Sequence, residues 1–343
     1  MENTIWKLLK DLSSKKGITE IIINNQDMVY IERDGELIRL NVTIDPNDLE
    51  PFCQVVATLN KVEFGPDYPI LDGVLQDGSR INIISGVYTN SGPAITIRKY
   101  LRDITTFDSL DGKFNISEKW IEFFRTLVSA KSNIIVSGGT GVGKTTFLNL
   151  LLQEISPTER VITLEDTREL NFKNPNTVRM FTANASSKVN NPLDMRALVK
   201  NTLRMRPDRI VIGEVRGAEA FDLLQVMNTG HDGSMCTVHA NSPSESLMRL
   251  ENLFLFAGYD VPLKAVRHQM SSAIDYIIQL DRDRELGRVV SKITEVTTME
   301  GDNILLQDIG VRSDMGPEFT GLVPAGIQKL VDAGLSPTFF ADI

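Results

Sequence analysis

The run Gly138-Gly139-Thr140-Gly141-Val142-Gly143-Lys144-Thr145 fits the pattern G-x-x-x-x-G-K-[ST], and its flanks are the ones that pattern needs. Ahead of it, Asn133-Ile134-Ile135-Val136-Ser137 is apolar and β-branched, the composition of a strand buried on both faces. Behind it, residues 146–155 have helical length and composition and stop before Pro157. Strand, glycine loop and helix in this order make a phosphate-binding loop. The glycines let the backbone turn its N–H groups inward around a triphosphate, and the helix N-terminus adds the positive end of its dipole. Gly139, Thr140, Gly141, Val142, Gly143, Lys144, Thr145 and Thr146 are therefore the expected ATP-binding residues. Lys144 is expected on the β- and γ-phosphates, and the Thr145 hydroxyl on Mg²⁺. The plain alternative is coincidence: such a match turns up by luck in roughly one chain in a hundred of this length, and the flanks make it rarer still.

Two further buried-strand runs deliver carboxylates. Val161-Ile162-Thr163-Leu164 leads into Glu165-Asp166, and Arg209-Ile210-Val211-Ile212-Gly213 leads into Glu214. In a parallel α/β sheet the carboxyl ends of the strands are where ligands bind. The second run resembles a Walker B strand, although the usual residue at its end is Asp rather than Glu214. One carboxylate can serve the metal shell, here Glu214 with Thr145 on Mg²⁺, while the other positions the attacking water. Taken singly, either is also the kind of acid that caps a following helix.

His231 and His239 fall within nine residues of each other, with a turn at 230–233 and a strand at 234–238 that ends at His239. A histidine at a strand's carboxyl end can sense a γ-phosphate, whereas a lone histidine is more simply structural. A zinc site from His231, Cys236 and His239 has a spacing that fits no common pattern. Between Asp194 and Asp208 a basic helix is expected, with Arg196, Lys200 and Arg204 at i, i+4 and i+8 opposite Met195, Leu198, Val199 and Thr202. Such a stripe is usually a solvated face. In a ring-shaped ATPase it would meet the neighbouring subunit, and Arg80 and Arg98 raise the same question.

A chain of 343 residues suggests two domains. Its 42% hydrophobic and 24% charged residues are those of an ordinary globular protein. No apolar run reaches the roughly 18 residues of a spanning helix, and Met1-Glu2-Asn3-Thr4 does not begin a signal peptide, so a cytoplasmic protein is expected. A net charge of −9 argues against a protein whose main task is gripping a nucleic-acid backbone. Cys53 and Cys236 read as buried free thiols.

The first hundred residues read as a small α+β unit. A helix at 6–12 is closed by Gly17, strands follow at 18–24, 29–32 and 36–40, and Arg33-Asp34-Gly35 marks a hairpin between the last two. A second helix begins after Asp45-Pro46 and runs to about residue 59, and strands at 69–75, 80–84 and 94–98 complete the unit. Residues 101–115, with Asp103, Asp108, Asp111 and Gly112, have weak periodicity and read as a linker. A helix at 117–130 then leads into the loop strand.

The order of these motifs resembles one family closely. Residues 138–145, 162–170, 203–217, and 228–233 with 237–241 look like the Walker A, Asp box, Walker B and His box of the secretion-superfamily traffic ATPases of type II and type IV secretion and pilus assembly. The branch they look most like is the Tad (Flp) pilus assembly ATPase of the CpaF type. The resemblance runs from about residue 18 to about 310. It implies an α/β fold in which a small α+β, PAS-like N-terminal domain (1–100) and a linker (101–116) precede a RecA-like P-loop NTPase domain (117–343) with a C-terminal helical and β extension. It also implies an ATP- and Mg²⁺-dependent homohexamer, peripheral at the inner membrane on a platform protein, with no nucleic acid expected.

On that pattern Glu165 and Glu214 share water activation and Mg²⁺ handling, and His239 senses the γ-phosphate. Arg80 and Arg98 match the N-domain arginines that reach the nucleotide. Which glutamate is the catalytic one is left open by the sequence. Tad-type relatives often carry a long N-terminal extension, so this start reads as trimmed or as that of a short paralogue. Type II relatives commonly carry a four-cysteine zinc module, which a chain with two cysteines lacks. Residues 311–343 fit the family pattern poorly, with only a short amphipathic helix expected from 324 to 333. The rival readings are a nucleic-acid translocase, a nucleotide-gated scaffold with little hydrolysis, and a small-molecule kinase.

Overall fold

The computed structural model describes residues 3–13, 15, 17–33, 36–99, 106–110, 112–182, 193–258 and 260–341. The chain divides into an N-terminal unit and a larger C-terminal unit.

The N-terminal unit runs α1 (Thr4–Ser13), β1 (Ile18–Asn25), β2 (Met28–Arg33), β3 (Glu36–Leu40), α2 (Pro46–Asn60), β4 (Ile70–Val74), β5 (Arg80–Ile84) and β6 (Ala94–Arg98). The start of α2 follows from its sequence: the Asp45 side chain accepts the Asn47 N–H, and Pro46 occupies the first turn. The six strands form one sheet in the order β3-β2-β1-β6-β5-β4, every neighbour antiparallel. Period-two alternation sends Ile21, Ile23, Ile81, Ile83, Ile95 and Ile97 into a core with Leu9, Phe52 and Val56. Arg80 and Arg98 sit directly opposite each other on β5 and β6, on the face that this core does not occupy. The β2–β3 hairpin forms as expected, its residues Asp34 and Gly35 lying outside the described residues.

The C-terminal unit runs α3 (Glu118–Ser129), β7 (Ile134–Gly138), α4 (Lys144–Gln153), β8 (Val161–Glu165), β9 (Thr177–Phe181), α5 (Met195–Thr202), β10 (Arg209–Ile212), α6 (Glu219–Asn228), β11 (Met235–Val238), α7 (Pro243–Phe256), α8 (Leu263–Ala273), β12 (Tyr276–Asp283), β13 (Gly287–Glu300), β14 (Asn303–Ser313), β15 (Gly316–Phe319) and α9 (Ile327–Asp332). Its sheet has nine strands in the order β15-β14-β13-β12-β7-β11-β10-β8-β9. The six from β12 to β9 are parallel, and β13 to β15 continue as an antiparallel meander. The fold is RecA-like.

Successive residues of the parallel strands feed opposite cores, which is why these strands read as unbroken apolar runs. Ile134, Val136, Val161 and Val211 face Phe124, Phe147 and Leu151 on α3 and α4, while Ile135, Ile162, Ile210 and Ile212 face Val199, Leu223, Leu250 and Val266 on α5 to α8. Both thiols are buried and free, and burial pushes each up to about 12.

Three sequence expectations change. The stretch read as a linker contributes core. Phe107 stacks on Phe124 at 5.9 Å and meets Phe147 edge-on at 6.2 Å, and Phe114 is buried against Phe147 at 5.4 Å. Asp103 and Asp111 lie outside the described residues. The tail read as one helix is also core, since Phe339 and Phe340 pack on Phe123 and Phe319. Finally, the basic helix ends at Thr202, so Arg204 lies beyond it, and its stripe is occupied within the unit: Arg196 and Lys200 both reach the buried Asp222 of α6, at 2.7 and 3.8 Å.

Candidate functional site

β7 ends at Gly138 and α4 begins at Lys144, so the loop crosses from a central strand into a helix N-terminus. Gly141 and Gly143 take φ values of 76° and 94°, a left-handed backbone that residues with a Cβ rarely adopt. A Cβ on Gly143 would also come within 3.1 Å of the Phe114 ring and 3.2 Å of Arg288 Cδ. Lys144 Nζ donates to the carbonyls of Gly138 at 2.9 Å and Gly139 at 2.8 Å. Burial lowers the pKa of this ammonium, opposed by the Glu214 and Glu169 carboxylates.

β8, next to β10 in the sheet, carries Glu165 at its carboxyl end, 2% exposed. Its Oε1 accepts the N–H groups of Glu169 at 2.8 Å and Leu170 at 2.7 Å, while its Oε2 is buried with no hydrogen-bond partner among the described residues. Room for it comes from Gly213, where a Cβ would stand 3.3 Å from Glu165 Cγ. Desolvation by burial pushes the carboxyl up to about 7, against the two amide hydrogen bonds that favour its charged form.

The turn that Glu165 gathers returns Glu169 to the loop, where the Thr145 hydroxyl donates to Glu169 Oε2 at 3.0 Å. Asn149 of α4 holds the same turn from the other side, donating to the Glu169 carbonyl at 3.3 Å and accepting the Asn171 N–H at 2.8 Å. Glu169 is the carboxylate that sequence reasoning missed. The signal was present, four residues after Glu165 in the quoted Asp box run, but nothing local says that the turn doubles back onto α4.

Glu214 follows β10 and is partly exposed, its Oε2 accepting a hydrogen bond from Arg216 Nη2. That bond raises the pKa of Arg216, a second residue the sequence reading passed over. Glu219 fixes the intervening turn by accepting the N–H groups of Arg216 and Gly217 at 2.7 and 2.8 Å. The Thr237 hydroxyl donates to the Gly213 carbonyl at 2.7 Å, tying this strand end to β11, and His239 stands exposed just past β11. Arg80 and Arg98 belong to the N-terminal unit.

Among the described residues no group of three or more His, Cys, Asp or Glu is arranged to hold a metal ion, so the His231, Cys236 and His239 zinc set does not form. Mg²⁺ at a phosphate loop asks for less, since one or two protein oxygens suffice when phosphates and waters complete its shell. The Thr145 hydroxyl beside a carboxylate is a hard oxygen set of that kind.

The titration of Glu165 has a measurable consequence. Its folded pKa lies above the ordinary 4.5, so the stability it contributes is present below about pH 4.5 and is lost as pH rises through about 7. Glu165→Gln does not titrate there. The variant is therefore expected to gain on the wild type as pH rises from 5 to 8, by about 3 kcal/mol at most. Thermal denaturation across that range checks this, and a stability difference flat with pH would refute it.

The family described as Type II/IV secretion system protein matches residues 5–308. The conjugal transfer protein TrbB of Rhizobium radiobacter is 32% identical over 289 residues, covering 83% of this chain and 84% of TrbB. The type IV secretion system protein PtlH of Bordetella pertussis is 31% identical over 294 residues, covering 78% of this chain and 87% of PtlH. Among solved structures, the pilus retraction motor PilT with bound ADP superposes with a TM-score of 0.61 at 20% identity, over 87% of this chain and 83% of PilT, a likeness of fold.

Proposed function

Because the chain belongs to the type II/IV secretion system protein family, we propose that it is an ATPase that energises pilus assembly or protein secretion across a bacterial envelope. The observation that carries this reading is the glycine loop with Lys144 bonded to its carbonyls and carboxylates that follow two neighbouring strands, Glu169 at Thr145 and Glu214 at Arg216. In this reading Lys144 exchanges the Gly138 and Gly139 carbonyls for the β- and γ-phosphates of ATP, and the loop N–H groups and the α4 N-terminus surround them. Glu169 and Glu214 order the attacking water and take up its proton. Thr145, with the Glu169 carboxylate beside it, and Glu214 would hold Mg²⁺, which would neutralise charge on the phosphate oxygens when bound.

His239 senses the γ-phosphate from the end of β11. Arg80 and Arg98, paired across β5 and β6, supply positive charge from the N-terminal unit, whose movement carries the work. The assembly is a cytoplasmic homohexamer docked on an inner-membrane platform protein, and the order of motifs favours the Tad (Flp) branch. Among the described residues no helix is long and apolar enough to cross a membrane.

The test is particle mass by light scattering with and without ATP and Mg²⁺, alongside phosphate release by wild type and Glu214→Gln. A six-subunit particle whose turnover falls at least 100-fold in the variant is expected. A monomer with absent or variant-insensitive turnover would favour the scaffold or kinase readings over the motor. The relatives' conjugal-transfer names raise a translocase reading, and a rate stimulated by nucleic acid and falling steeply with salt would favour it over the motor.

A further inference from the structure

Three carboxylates stand near the loop, and their surroundings assign them different work. Glu214 is partly exposed beside a guanidinium, and Glu169 meets the hydroxyl of Thr145. Glu165 is placed otherwise. It is almost fully buried beneath the 166–170 turn, and its bonded oxygen, Oε1, is occupied by two backbone amides of that turn. We infer that Glu165 is a positioning residue that sets Glu169 against the phosphate loop, and that it is not the carboxylate that acts on the water. This assignment rests on the ATPase reading and divides labour within its site.

A short turn has few ways to fix its own direction, and its N–H groups need acceptors once covered. One carboxylate oxygen that accepts both the Glu169 and the Leu170 N–H specifies where the Glu169 Cα lies, and Asn149 clamps the far side through the Glu169 carbonyl and the Asn171 N–H. The Glu169 side chain then needs only its own rotamer to reach Thr145 Oγ1 at 3.0 Å. Gly213 completes the arrangement, because a side chain there would press on Glu165 Cγ from the neighbouring strand end. Charge on Glu165 is not what the clasp uses; an acceptor oxygen at that position is.

A role through the clasp and a role in chemistry separate on substitution. Glutamine keeps an acceptor oxygen of the same reach, whereas alanine removes it. Glu165→Gln is therefore expected to keep kcat within about threefold of wild type, and Glu165→Ala to lose about 100-fold in kcat with KM within about threefold, since a misplaced water-ordering group costs on that scale. A chemical role predicts the reverse for glutamine: Glu165→Gln as inactive as Glu169→Gln, with nucleotide affinity intact, overturns the assignment.

Amide hydrogen exchange at Glu169 and Leu170 is the second measurement, and it does not depend on turnover. Those two amides are expected to stay protected in wild type and Glu165→Gln and to exchange at least tenfold faster in Glu165→Ala. Unchanged protection in Glu165→Ala overturns the clasp. A wild type that binds ATP without hydrolysing it removes the ATPase reading, and the exchange rates still decide whether Glu165 holds the turn.

Discussion

Lys144→Ala is expected to lower ATP affinity at least 100-fold and to bring phosphate release to background, while the fold survives. The ammonium is half-buried within the loop it serves and makes two hydrogen bonds to loop carbonyls, so its charge is presented in a low-dielectric setting rather than in bulk water. Hydrogen bonds between charged groups contribute roughly 1.5–3 kcal/mol each, and a lysine that reaches two phosphates loses two of them. That sum corresponds to the stated loss or more. Lys144 is a point charge at the start of α4, and its removal leaves the loop glycines and the helix N–H groups in place. Circular dichroism should therefore be unchanged. Titration with a fluorescent ATP analogue measures the effect, and an affinity within threefold of wild type would mean that the loop does not bind a triphosphate.

Glu169→Gln separates binding from chemistry. Glutamine keeps an oxygen that accepts from the Thr145 hydroxyl, so a residue that only braced the loop would tolerate it. If the carboxylate orders water and takes up its proton, turnover falls by about 10² to 10⁴ with nucleotide affinity within a few-fold. Single-turnover phosphate release with a parallel binding titration distinguishes these cases. Unchanged turnover would leave Glu214 as the acting carboxylate.

Much of this molecule was legible without coordinates because the signals concerned are local. The glycine loop was readable because left-handed φ at Gly141 and Gly143 is a property of residue type, and the strand before it because residues buried on both faces must all be apolar. The start of α2 was readable because Asp45 and Pro46 act within one turn, and the β2–β3 pairing because turn residues set register. The carboxylates at the ends of β8 and β10 followed from the parallel-sheet rule. The strands β12 to β15 were harder. Their meander owes its place to pairing with β7, more than a hundred residues earlier, and residues 339 and 340 find burial on the rings of Phe123 in α3 and Phe319 in β15.

The division of the carboxylates lies on the same side of that line. From sequence, Glu165 and Glu214 are equivalent acids at strand ends and Glu169 is one more polar residue in a loop. Burial, which depends on what packs over a residue, makes Glu165 a clasp, and the returning turn brings Glu169 to Thr145, 24 positions earlier in the chain. The glycine loop between β7 and α4, the class of the fold and the carboxyl edge of the sheet could be read from the residues alone, because each rests on interactions within a few residues. Which carboxylate stands at the loop emerged with the packed chain, because that is a distance between side chains, set by packing that no local pattern encodes.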